Sequence, residues 1–79
     1  MKANIEKGRY RHYKGGLYQV LGTGYDEKNQ REYVIYKMLY STKDYPKGTI
    51  WLRELGDFCS MVEVEGEKVK RYSYLGKRS

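Results

Sequence analysis

Two adjacent glycines, Gly15 and Gly16, divide a segment of interleaved cations and rings from a segment with strand-like alternation. Before them run Arg9, Tyr10, Arg11, His12, Tyr13 and Lys14; after them Leu17, Gln19 and Leu21 alternate with Tyr18 and Val20. A period of two is the signature of a β-strand. Paired glycines supply the positive φ values that a tight hairpin turn demands. Residues 8–20 therefore predict a β-hairpin that displays cations and aromatic rings on a small surface.

The rest of the chain reads in the same way. Gly22 and Gly24 mark a bulge or the end of the second strand, and residues 26–30 form a charged turn. Residues 32–41 are the longest strand expected, with Val34, Tyr36, Met38 and Tyr40 on one face and Tyr33, Ile35, Lys37 and Leu39 on the other. Apolar residues on both faces place such a strand at the centre of a sheet or across a bent barrel. Residues 42–48, which hold the one proline, read as a loop, and residues 49–53 as a fourth strand. Leu55, Phe58, Met61 and Val62 have the spacing of one or two helical turns, with Asp57 as candidate cap. A last hairpin is expected from 62–64, a turn at 65–67, and 69–72. The expected organisation is a flexible start over 1–7, one domain over 8–72 and a basic tail over 73–79. The expected fold is mostly β: a small, strongly bent, SH3-like barrel of five or six short strands with one helical turn.

Size and charge narrow the function. At 79 residues the chain makes one domain with a modest core. Ten tyrosines against one phenylalanine are unusual for a plain core, because a buried phenol needs a partner for its hydroxyl. Sixteen Lys and Arg against ten Asp and Glu leave a net charge of +6, which favours polyanions or acidic partners. The bases gather towards the two ends of the chain. If the first and last strands are neighbours, these groups merge into one patch; if not, each is a solvated edge. A single cysteine excludes an internal disulfide and fits a reducing, cytoplasmic setting. No apolar run reaches the length of a membrane span.

Gly8, Tyr10-Arg11-His12-Tyr13-Lys14-Gly15-Gly16, Tyr18 and Val20 form one block, followed by Val34, Tyr36, Leu39-Tyr40, Trp51, Arg53, Leu55, Phe58, Val62, Val64, Gly66, Val69 and Arg71-Tyr72. This pattern resembles a known family of small bacterial proteins, the domain of unknown function 1653. It spans roughly residues 8–72 and implies a compact, mostly β module without an assigned activity. The chain departs from the family's usual pattern at Tyr25-Asp26-Glu27-Lys28, at Glu54 and in the loop around 43–49.

Candidate ligand-binding residues follow from chemistry. Arg9, Arg11, Lys14 and Arg71 can neutralise phosphates, while Tyr13, Tyr18 and Trp51 can stack on bases. Trp51 serves equally well as a groove or a core residue, and tyrosines also form ordinary cross-strand pairs. The leading expectation is a non-catalytic binding module for nucleic acid, single-stranded or structured RNA. The alternative is an SH3-type adaptor for an acidic protein or peptide, with Tyr10, Tyr36 and Trp51 lining an apolar groove. No enzyme, cofactor or metal is expected. His12 has no second histidine beside it and reads as structural or surface, and Cys59, in an apolar stretch, reads as a small buried hydrophobe.

Overall fold

The glycine pair does what its position demands. In the computed structural model, which describes residues 5–77, strand β1 (Gly8–His12) turns into β2 (Leu17–Tyr25) through a loop closed by two backbone bonds. The His12 N–H donates to the Gly16 carbonyl at 2.8 Å, and the Gly15 N–H donates to the His12 carbonyl at 2.7 Å. Gly15 sits at φ +108°, and a Cβ on Gly16 would lie 2.6 Å from the Tyr40 hydroxyl. The first glycine bends the chain and the second lets a ring approach.

Five strands form one antiparallel sheet in the order β4-β3-β2-β1-β7, completed by β3 (Glu32–Met38), β4 (Ile50–Glu54) and β7 (Tyr72–Gly76). A separate hairpin pairs β5 (Met61–Val64) with β6 (Glu67–Lys70). As its two apolar faces predict, β3 is central. Val34, Tyr36 and Met38 are buried, whereas Tyr33, Ile35 and Lys37 are half-buried on the other side. A bulge in β2 between Val20 and Gly22 bends the sheet and pushes Leu21 outward, leaving it 41% exposed. The bend brings the two sheet edges face to face: the Arg53 guanidinium of β4 lies 6.0 Å over the Tyr72 ring of β7.

The mostly β class with one helical turn is what the structure has. Among the described residues there are seven strands in two sheets rather than five or six strands, and the bent sheet is not a closed barrel. The helical turn α1 (Leu55–Phe58) is a single turn, and Met61 and Val62 leave it for β5. Asp57 does not cap its start. Position Glu54 does so without a side-chain bond, and Asp57 instead accepts from Arg53 Nε at 3.1 Å. Residues 73–76, expected in a basic tail, belong to β7. Of the expected flexible start, residues 1–4 lie outside the described residues, and Ile5 packs against the core.

That core is aromatic. Tyr10, Val20, Val34, Tyr36, Phe58 and Tyr72 form one cluster, and Phe58 stacks on Tyr72 with centroids 4.0 Å apart and planes 5° apart. Each buried phenol finds a partner. Tyr36 and Tyr72 hydroxyls meet at 3.3 Å, and Tyr10 donates to the Glu6 carbonyl at 2.9 Å. This is how the chain builds a core from tyrosine without stranding polar atoms.

Candidate functional site

The conditional posed by the sequence, whether the two basic ends meet, is resolved by β1 pairing with β7. The two strands cross so closely that a Cβ on Gly8, at φ +138°, would lie 2.6 Å from the Gly76 carbonyl oxygen. Arg11 stands opposite Ser73, and His12 opposite Tyr72. Beyond this junction the β5–β6 hairpin supplies Val64, Val69 and Lys70. Together they bound an open groove of about 510 Å³ with Arg11, His12, Tyr13, Lys14 and Ser73. Three cations line it, one from β1, one from the turn and one from β6, and none of its lining residues is an acid.

Local structure holds the groove's rim. The Lys14 N–H donates to His12 Nδ1 at 3.1 Å, so the neutral imidazole carries its proton on Nε2. His12 also packs edge-on against Tyr72, with centroids 4.9 Å apart, and lies 4.7 Å from the Tyr13 ring. Burial, followed by the charges of Arg53, Arg71 and Lys14, holds its pKa below the usual imidazole value of 6.5. Lys14 Nζ sits 5.8 Å from the Tyr13 centroid, and Tyr13 is exposed. The groove can therefore offer an anion two mobile ammoniums, a guanidinium and a ring, a set suited to phosphates attached to planar groups.

Of the residues named from sequence, Arg11, Tyr13 and Lys14 line this groove. Arg9 lies on β1 opposite Gln19 and Gly76 but outside the lining. Arg71 is half-buried, its Nε donating to Ser60 Oγ at 3.0 Å. Tyr18 packs on the core and shares a 2.7 Å hydroxyl–hydroxyl bond with Tyr40. Burial, then that bond, raises its pKa well above the phenol's usual 10.0. Trp51 pairs with Tyr36 across β3–β4 and so shares the core-facing side, where Tyr45 covers it edge-on at 4.8 Å. Tyr10 and Tyr36, the other rings of the apolar groove expected for an adaptor, are buried in the core. Cys59 is exposed, not buried, although partial desolvation raises its pKa.

Sequence reasoning passed over Lys70, His12 and Ser73 as groove residues. Lys70 belonged to the basic C-terminal group, so charge clustering was the available signal. Among the described residues no group of three His, Cys, Asp or Glu stands together to hold a metal. No helix among them is long and apolar enough to cross a membrane.

Comparison with known proteins agrees with this architecture. The pattern of a protein family of unknown function, DUF1653, matches residues 8–74. A crystal structure of a protein of that family from Bordetella bronchiseptica superposes with a TM-score of 0.82 at 29% identity, covering 92% of this chain and 90% of that one. No curated protein matches the chain.

Proposed function

The chain belongs to the DUF1653 family, and from that premise we propose that it is a non-catalytic, cytoplasmic binding module whose basic groove holds RNA. The observation that carries this reading is the convergence of Arg11, Lys14 and Lys70 on one acid-free groove with the exposed Tyr13 ring at its edge. Clustered cations attract a polyanion from a distance, and accessible rings give its bases something to stack on. An isolated small anion would gain from the charges alone.

The test is titration of a labelled single-stranded ribo-oligonucleotide over a range of salt. Affinity should fall steeply as salt rises, because binding releases condensed counterions. Reversing Lys14 and Lys70 to Glu together should lower the slope of log K against log salt by about 1.4, at about 0.7 for each phosphate contact of a single strand. A flat salt dependence, or no binding at low salt, overturns the reading.

A second reading, an adaptor for a protein or peptide, rests on a different place. A depression of about 250 Å³ on the outer sheet face is lined by Tyr25, Tyr33, Ile35 and Leu52 among others. There apolar and aromatic side chains dominate, with Asp26 the one charge in the lining.

A further inference from the structure

On the other side of β7 from the basic groove lies a depression of about 260 Å³, and Lys70 lines both. Strand alternation explains most of the division, the His12–Tyr72 pair alone being split between the two. Arg11 stands opposite Ser73, and both line the groove; Tyr10 stands opposite Tyr74, and both line the second depression. Its walls are correspondingly aromatic, with Phe58 and Tyr72 completing them.

Three of these four rings are core residues, so Tyr74, 40% exposed, presents the accessible ring. Tyr74 is held in place: it packs on Tyr10 with centroids 5.1 Å apart, and its hydroxyl donates to the Lys7 carbonyl at 3.3 Å. With the Tyr10 hydroxyl likewise committed to the Glu6 carbonyl, these two rings offer their surfaces rather than free hydroxyls, and the polar groups of the lining come from Glu6, Cys59 and Lys70. The volume falls below the roughly 300–1,000 Å³ of pockets that hold drug-sized ligands. One planar base suits it; a whole nucleotide does not. The Glu6 carboxylate at the rim repels a phosphate and can accept from an exocyclic amino group.

Resting on the RNA reading of the groove, we propose that the ligand is single-stranded, with phosphates on Arg11, Lys14 and Lys70 and one splayed base set against Tyr74. Lys70 is the bridge, since it faces both depressions. A base locked in a helix cannot be splayed out in this way, so duplex RNA is excluded from this mode.

Cys59 provides the test, because the chain's one cysteine lines the ring-walled depression and not the groove. Wild-type protein is titrated at low salt with three probes: a short oligocytidylate, an abasic strand of equal length, and inorganic polyphosphate. The rate of Cys59 alkylation by iodoacetamide is then followed with each at saturation. All three should bind and all should weaken with Lys70→Glu. Only oligocytidylate should slow alkylation, and it should bind about tenfold or more tighter than the abasic strand. Tyr74→Ala should erase that advantage. If oligocytidylate binds no tighter than the abasic strand and leaves alkylation unchanged, or if a duplex binds equally well, the base pocket is overturned while the groove stands. If none of the probes binds, the groove reading falls with it.

Discussion

The two edges of the bent sheet expose opposite chemistry. At the β1–β7 edge the accessible side chains are cations and rings around the groove. At the β4 edge aliphatics dominate: Leu52 is 64% and Ile50 51% exposed, on the face that also carries Ile35, with Glu54 at the strand's end paired to Arg31. Charges act over about a Debye length and weaken with salt, whereas apolar contacts are short-ranged and outlast it. The contrast teaches that one small fold can hold two different kinds of surface, and that salt separates them. It also shows an asymmetry of support. Each edge hangs on a ladder, β4 to β3 and β7 to β1, but β7 contributes Tyr72 to the aromatic stack with Phe58 and Tyr36.

The largest expected effect breaks that asymmetry open. Phe58→Ala removes the ring stacked on Tyr72 and should cost about 3–5 kcal/mol in urea denaturation. The loss should be uneven. Amides of β7 should lose protection from hydrogen exchange before those of β3, since β3 keeps ladder partners on both sides. Uniform loss across both strands would show that the aromatic stack does not single out the β7 edge.

Next in size is the comparison of surfaces by binding. Leu52→Ser should leave RNA affinity within about twofold and stability within about 0.5 kcal/mol, as for most exposed positions. The Lys14→Glu, Lys70→Glu double variant should cost at least tenfold in the same titration at low salt. If Leu52→Ser proves the more damaging, the functional surface lies at the β4 edge, and the adaptor reading takes over.

Local pattern made the first hairpin and β3 legible, because a glycine turn and a period of two depend on neighbours in sequence. What escaped was non-local. Ser73-Tyr74-Leu75-Gly76 has a weak pattern of its own and becomes a strand by pairing with β1 over sixty residues away. Without that pairing, nothing placed Lys70 beside Arg11. Trp51 was ambiguous for a related reason. Alternation separates two faces of a strand but does not say which is covered, and the pairing with Tyr36 put Trp51 on the inner one. The tyrosine count signalled buried phenols in need of partners, and only the fold shows that Tyr36 and Tyr72 meet that need in each other.

The smallest expected effect is a pH dependence at the groove's rim. His12 has a lower pKa folded than unfolded, through burial and the nearby charges of Arg53, Arg71 and Lys14. In the window below 6.5 the unfolded chain therefore binds more protons than the native one. The contribution is complete above that value and is lost as pH falls through the folded pKa. In urea denaturation, wild-type protein should lose stability relative to His12→Gln as pH falls below 6.5, because glutamine takes up no proton. An anion in the groove works against the same shift, because a phosphate beside the ring favours the imidazolium. Followed by NMR, the His12 titration should move upward when oligonucleotide is bound and stay put with Leu52→Ser as the only change. An unmoved His12 with RNA bound would place the ligand away from the groove and on the other edge of the sheet.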